Sequence, residues 1–418
     1  MNILVLNAGS SSLKARMYRV GGEQLPEDPP EPLWDAFVDL SLQPGVAHIR
    51  VRSAGAAIQK ESPCTHLPDT LDGVLESLWD GPTAVLKDRS EIHIAGHRVV
   101  HGGQELREST RITPSVKAVI ERLGPFAPAH NPVELSVIEA AERILGSDVP
   151  QLAAFDTAFH AKLPPEVYTY PGPYEWLDHG IRRYGFHGIS YQYTTRRAAH
   201  ILGRDLSGLR LIACHLGNGC SLAAVRNGVG ADTTMGFTPL EGLMMGTRPG
   251  SLDPGILIYL VRHRGYDAAE LNRILNEECG LKGVSGISRD MRQILAERDK
   301  GNPRAALAFD IFIHKLRCHI SAMLPNLGGL DALVFTAGIG ENSPEVRAAV
   351  CEAFGFLGMK LDHGKNVNSP ADTDIATPDS AVRVLVVQTR EDWEIARECF
   401  RLCSHATPRE SCEENPAN

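Results

Sequence analysis

The sequence predicts an α/β protein with a duplicated domain, and three observations carry that expectation. Short apolar strands alternate with amphipathic helices along the whole chain. Gly-rich turns follow several of the strands. One strand, turn and strand pattern also occurs twice, about 210 residues apart.

Ile3 to Leu6 is a continuous apolar run of the kind buried on both faces of a sheet. It enters Asn7-Ala8-Gly9-Ser10-Ser11-Ser12 and continues through Leu13-Lys14, which predicts a hairpin. Gln24 to Pro32, with Pro26, Pro29 and Pro30, reads as a surface loop. Ile92 to Val100 is strand-like. Asn131 is predicted to cap a helix, with Pro132 at its first position and Glu134 three after the cap; Leu135, Ile138 and Leu145 share the following face and Gly146 closes it.

Leu209 to Cys214, the turn His215-Leu216-Gly217-Asn218-Gly219-Cys220-Ser221 and Leu222 to Val225 repeat the first hairpin. An anion between two such tips would meet backbone N–H groups from both sides; two ordinary hairpins with flexible tips are the alternative. Asp232 to Gly255 holds too much Gly and Pro for one helix and is too apolar for disorder, which predicts a long structured loop over a site. Leu333 to Phe335 is a buried strand feeding an expected loop, Thr336 to Asn342, before Ser343-Pro344-Glu345 opens a helix; strand, Gly turn and helix start suit a nucleotide. Val382 to Val387 reads as a strand, Trp393, Ala396, Phe400 and Cys403 as one helical face, and the residues from Ser404 onward as frayed.

The 418 residues favour two or three domains at about 150 residues each. A composition of 43% hydrophobic and 22% charged residues excludes disordered, collagen-like and coiled-coil classes. Lys and Arg number 42 against 51 acidic residues, and no segment concentrates the basic ones, so nucleic acid is not expected as a partner. Anionic substrates would be repelled by the net charge of −9 and need local Arg side chains. Nine cysteines without a CxxC pair read as reduced thiols of a cytoplasmic protein. A start without a basic leader, and the lack of an uncharged apolar stretch near about 18 residues, argue against export or a membrane span.

Strand alternation puts Arg98 and Val100 on one face of their segment, where guanidinium and valine could hold a small acid by its carboxylate and its methyl group. Asp156 follows an apolar run, His187 lies in a Gly-flanked turn, and Arg248 is the single Arg of the 232–255 loop. Taken singly, such residues are more often caps or surface groups than functional ones.

Together, Asn7 to Lys14, Gly96 to Gly103, Phe155 to His160, Tyr184 to Gly188, His215 to Gly219, Gly236 to Arg248 and Thr336 to Ser343 resemble, in order and over nearly the whole length, the signatures of the acetate kinase family. The resemblance implies two duplicated domains of the actin, sugar-kinase and heat-shock ATPase fold (ribonuclease H-like) flanking a cleft. It also implies a homodimer and reversible phosphoryl transfer between ATP and acetate, with Mg²⁺ as cofactor and Mn²⁺ as a substitute ion. The last strand and helix would complete the first domain, giving 1–150 plus 385–418 and 151–384.

The same resemblance implies roles. Arg98 and Arg248 would bind the carboxylate and the transferring phosphoryl group, and His187 would donate to one of its oxygens. Asn7 would lie near the phosphates, with Asp156 and Glu391 placing Mg²⁺. Lys14, His215, Leu216, Gly217, Asn218 and Gly219 would hold the ATP phosphates. Asp290, Met291, Arg292, Gly338, Ile339, Gly340 and Asn342 would border the nucleotide. His130 matches another active-site position, and Val100, Phe186 and Pro239 would contact the acyl group. An acetate anion needs no general base, so the task is to bring two anions into line and neutralise them.

Four departures from the family pattern stand out. Ala129 replaces a usual Leu beside His130, which would widen the acyl pocket toward propionate. Tyr191 stands where His is common, Cys220 where Ser is usual, and Arg390 adds a positive charge beside Glu391. Rival readings are a propionate or broad short-chain carboxylate kinase, a non-catalytic ATP-driven binding module, and a silent regulator. The binding module would need a peptide-binding segment beyond the short tail after Cys403, and the intact Arg98, His187, Arg248 and Glu391 argue against the regulator.

Overall fold

A computed structural model describes residues 1–22, 24–368 and 370–405. Two mixed sheets carry the chain. The first holds β1 (Asn2–Ala8), β2 (Ser12–Arg19), β3 (Trp34–Gln43), β4 (Val46–Ser53), β5 (Ala56–Pro63), β6 (Ile94–Val99), β7 (Thr110–Arg111) and β8 (Gln151–Phe155), in the order β5-β4-β3-β2-β1-β6-β8-β7. The second holds β9 (Arg210–Leu216), β10 (Cys220–Arg226), β11 (Val229–Thr233), β12 (Ala332–Thr336), β13 (Thr373–Asp374) and β14 (Arg383–Val386), in the order β11-β10-β9-β12-β14-β13.

The duplication expected from the two hairpins is plain in this topology. In the first sheet β1 pairs antiparallel with β2 and parallel with β6, which is parallel to β8. In the second, β9 pairs antiparallel with β10 and parallel with β12, which is parallel to β14. Each sheet therefore leads with a hairpin whose tip lies at the carboxyl end of its first strand, beside the ends of two parallel strands. In α/β sheets that is where ligands bind.

Between the sheets lie two helices, Gly188–Leu202 and Glu391–His405, packed on each other. Ile3, Val5 and Ile94 of the first sheet, Ala213, Ala223 and Val334 of the second, and Ile189, Tyr191, Trp393 and Ile395 of the helices form one buried cluster. Leu4 and Leu6 face the opposite way, onto Leu71, Val74, Val137 and Ala140 of two outer helices, which explains the unbroken apolar run of β1. On the outer face of the second sheet, Phe312, Leu316 and Ile320 of the helix Pro303–Leu327 pack against Leu222 and Phe335.

Several expectations need correction. β8 is hydrogen-bonded to β6, so a boundary at 150 would cut the first sheet. The strand near 382–387 pairs with β12 in the second sheet; only the helix Glu391–His405 returns to the first, because its apolar face lies on β1 and β6. Thr336 to Asn342 is not a loop: after Ala337 turns through a left-handed conformation, residues Ala337–Asn342 form a short helix. Asn131 does not cap its helix. Its side chain instead pairs with both backbone groups of His101, at 3.1 and 3.0 Å. Ser404 belongs to the last helix, and the remaining tail expected to fray, 406–418 with Cys412, lies outside the described residues. The 24–32 segment is irregular, as its prolines predict.

Gly96 on β6 is the point of closest approach of the last helix. A Cβ there would lie 2.5 Å from Cys399 Sγ and 2.6 Å from Ile395 Cγ2. Gly96→Ala should therefore lower stability by about 1–3 kcal/mol through overpacking, read as a lower urea midpoint at unchanged m-value. An unchanged midpoint would mean that the helix is not seated on β6.

Candidate active site

Strand residues of the first hairpin and the end of β9 line one cleft of about 420 Å³. Its walls are Asn7, Lys14 and Arg16 of the first hairpin, His215 at the end of β9, Ala337, Gly338 and Glu341 of the short helix, and residues 388–392. Asn7 lies opposite Lys14 in the β1/β2 register and donates from Nδ2 to Glu391 Oε2 at 3.4 Å. Lys14 is exposed at the rim. Asp392, beside Glu391, is anchored by Arg16 and by the Tyr18 hydroxyl, which holds the start of the last helix against the first hairpin.

Arg98 extends from β6 and is gripped by Asp156, just past β8. Its Nε lies 3.3 and 3.2 Å from the two carboxylate oxygens and its Nη2 2.6 Å from Oδ2. Burial opposes the Arg98 charge, but Asp156, Glu391 and Glu134 outweigh it and hold its pKa above the ordinary Arg value. Burial pushes the Asp156 carboxyl up while Arg98 pulls against it. Both oxygens of Asp156 are thus engaged by Arg98, so metal placement by Asp156 would mean sharing them.

Arg248 is in a different situation. It sits in a turn where Met245 N–H donates to the Arg248 carbonyl at 3.0 Å, pinned to the 279–281 segment. Its guanidinium reaches only the Pro239 carbonyl, at 3.4 Å, and Met245 Sδ, at 3.9 Å; among the described residues it has no carboxylate partner. Burial lowers its pKa. The expectation of a structured loop holds, since residues 234–253 contain neither helix nor strand.

His187 ends the turn before the helix Gly188–Leu202 with φ of 59°, a left-handed conformation uncommon for a non-glycine residue. The anchor is Gly188, whose N–H donates to the Asp156 carbonyl at 2.9 Å. The imidazole stacks on that of His215 with centroids 4.0 Å apart, and its Nδ1 is 2.8 Å from Ser221 Oγ. A Cβ on Gly219 would come within 3.4 Å of His187 Nε2 and 3.7 Å of Arg248 Nη1. The second hairpin tip, the histidine and the unpaired arginine therefore meet at one point. Burial, then His215, Arg98 and Arg248, hold the His187 pKa well below its usual value. His130 is lowered to about 4 by burial and by the same two arginines.

The remaining expected residues divide. Leu216 is buried in the strand end, while Gly217 N–H closes the tip onto the Gly219 carbonyl at 3.0 Å. Gly246 N–H donates to the Asn218 carbonyl at 3.1 Å, and a Cβ on Gly246 would lie 3.3 Å from Arg289 Cβ, bringing the 289–292 segment beside the tip. Asp290 caps the helix Met291–Asp299 and pairs with the exposed Arg292 at 2.6 Å. Met291 and Gly340 are buried and can only position the surface that Gly338, Ile339 and Asn342 present. Val100 and Phe186 are buried in one cluster, with Pro239 half-exposed near Arg248. Ala129 is exposed in the turn before His130, so its small side chain removes nothing from a buried wall.

Reading the sequence missed Glu134 as more than a cap. It is fully buried, accepts from Val100 N–H at 2.9 Å through Oε2, and leaves Oε1 without a partner. The one available signal was an acid on the apolar side of its helix. Glu341 was also missed; its Oε1 accepts from Ala337 and Thr389 N–H groups at 2.8 and 3.1 Å, tying the short helix to the segment before Glu391.

Comparison with known proteins points to one family. The profile of the Acetokinase family matches residues 2–397. An acetate kinase of Gloeobacter violaceus is 59% identical over 401 residues, 96% of this chain and 99% of its own length. One of a Cyanothece species is 56% identical over 403 residues, 96% and 98%. Among solved structures, Porphyromonas gingivalis acetate kinase superposes with a TM-score of 0.87 at 38% identity, covering 96% of this chain and 99% of that one. A propionate kinase from Francisella tularensis gives 0.86 at 36%, covering 95% and 98%.

Burial raises the Glu134 pKa from 4.5 to about 8. Between those values the folded chain keeps a proton that the unfolded chain has lost, so rising pH costs stability. Glu134→Gln removes that loss, and its stability relative to wild type should increase from pH 5 to pH 8 in urea titrations. A constant difference would show that Glu134 is already ionised in the folded chain.

Proposed function

The chain belongs to the acetokinase family of carboxyl-group phosphotransferases, and from that membership we infer that it works as an acetate kinase, passing the terminal phosphoryl of ATP to acetate in the interlobe cleft. The observation that carries this reading is Arg248: a half-buried guanidinium that has no carboxylate partner among the described residues, facing His187 and the Gly219 tip. In a chain of net charge −9, a half-buried cation without a carboxylate partner is a binding determinant for an anion.

The chemistry asks little of a base. Acetate is ionised at neutral pH, so its oxygen attacks without losing a proton. The chain must hold two anions in line and match the charge on the phosphoryl oxygens. Arg98, kept rigid by Asp156, and Arg248 take the carboxylate and phosphoryl oxygens in planar, paired hydrogen bonds, and Lys could not reproduce that geometry. His187 donates to a phosphoryl oxygen, Lys14 and the tip 215–219 hold the phosphates, and 290–292 with 338–342 border the nucleotide. Val100, Phe186, His130 and Pro239 enclose the methyl group.

Mg²⁺ fits this site by its donor chemistry: the Glu391 carboxylate and the Asn7 side-chain amide line the same cleft, and an ion held largely by phosphates needs few protein oxygens. When bound it neutralises and orients those phosphates. A cytoplasmic location accords with the eight described cysteines, all free, and no described helix is long and apolar enough to cross a membrane. Hydroxylamine trapping of the acyl phosphate formed from ATP, Mg²⁺ and either acetate or propionate names the acceptor. Acetate should be preferred, and Arg248→Ala should lower kcat/KM by about 10²-fold or more. Activity equal to wild type in that variant would remove the reading's main support.

A homodimer has its own support. The helix Pro254–Arg264 has no buried residue, and Ile258 and Tyr259 are 54% and 55% exposed beside Ile256 and Val261. A second copy would cover this apolar face. Ile258→Asp should shift the sedimenting species from dimer to monomer, and an unchanged dimer would place the interface elsewhere.

A further inference from the structure

His187 is one end of a buried hydrogen-bond chain. Its Nδ1 is 2.8 Å from Ser221 Oγ, and Ser221 Oγ is 2.5 Å from the Tyr191 hydroxyl. Ser221 and Tyr191 are both 0% exposed, on β10 and on the helix that His187 precedes. Resting on the phosphoryl-transfer reading above, we propose that Tyr191 and Ser221 are positioning residues that hold His187 in its neutral Nε2–H form, with that N–H directed at the transferring phosphoryl group.

Proton counting sets the direction. Among the described residues the Tyr191 hydroxyl has one hydrogen-bond acceptor, Ser221 Oγ, and no access to solvent, so its one proton goes to Ser221. Ser221 has two partners, and having accepted from Tyr191 it donates to His187 Nδ1. The imidazole proton must then sit on Nε2, the nitrogen beside the Gly219 tip. The opposite order, Nδ1–H to Ser221 and Ser221 to Tyr191, would leave the phenolic proton of a fully buried tyrosine without an acceptor, which folded proteins avoid. Stacking on His215 at 4.0 Å and two nearby arginines disfavour the imidazolium, which agrees with the low pKa of His187. The left-handed φ of His187 is the kind of local strain that persists where the surroundings over-determine a functional geometry.

Nitrogen NMR of ¹⁵N-histidine-labelled protein reads the tautomer directly, with the His187 signals assigned by their loss in His187→Gln. The wild type should show a protonated Nε2 and an unprotonated Nδ1. Ser221→Ala should mix the two tautomers and lower kcat for acetyl phosphate formation on the order of 10-fold, with KM for ATP and acetate little changed, as for other supporting residues of an active site. Ser221→Thr, which keeps the hydroxyl, should restore both readouts, and Tyr191→Phe should shift them in the direction of Ser221→Ala. Protonation at Nδ1 in the wild type overturns the proposal, as does a Ser221→Ala variant with unchanged tautomer and rate. Should Ser221→Ala not fold, the wild-type and Tyr191→Phe spectra decide alone. A wild type that forms no acyl phosphate would overturn the phosphoryl-transfer reading instead, while the tautomer is still read from the spectrum.

Discussion

The ion pair between Arg98 and the buried Asp156 is the contact on which the site depends. A guanidinium in a protein interior is costly unless a carboxylate meets it with good geometry, and Asp156 does so with both oxygens. The same Asp156 holds Gly188 through its carbonyl, so one residue fixes both the arginine and the entry to the histidine turn. The second arginine, Arg248, is left without a carboxylate partner. One cation is held by a carboxylate of the protein and the other is not, which accords with the proposed site for two anions.

The two central helices explain how groups from distant parts of the chain meet. His187 immediately precedes one and Glu391 begins the other. They pack on each other between the sheets, linked by Arg196 to the fully buried Glu394 and by Gln192 to Glu398 at 2.9 Å. His187 and Glu391 therefore sit at the ends of elements whose sides are buried against both sheets. Helix starts also present free N–H groups and favour negative charge nearby, which suits a cleft for phosphates.

Much of the architecture is legible in the sequence alone. The apolar run of β1, the repeated hairpin and the Gly-rich turns anticipated the leading hairpin of each sheet, because burial on two faces and tight turns leave local signatures, whereas β3, β4 and β5 were not read from the sequence. The domain boundaries were misread for a nonlocal reason: whether β14 joins the first or second sheet depends on which edge it meets, and the pattern Val382 to Val387 is apolar in either case. Asn131 misled in the same way, since a residue suited to capping serves equally well to bind the backbone of His101.

What the sequence by itself determined is the inventory: two guanidiniums, a Gly-flanked histidine, two hairpin tips, and the spacing of the strands that carry them. Only the tertiary structure decided how the charges are shared. The pairing of Arg98 with Asp156, the isolation of Arg248, the burial of Glu134 and the chain from Tyr191 through Ser221 to His187 all join residues separated along the backbone. Electrostatic and hydrogen-bond energies depend on distance and desolvation in space, and the order of residues along a chain encodes neither.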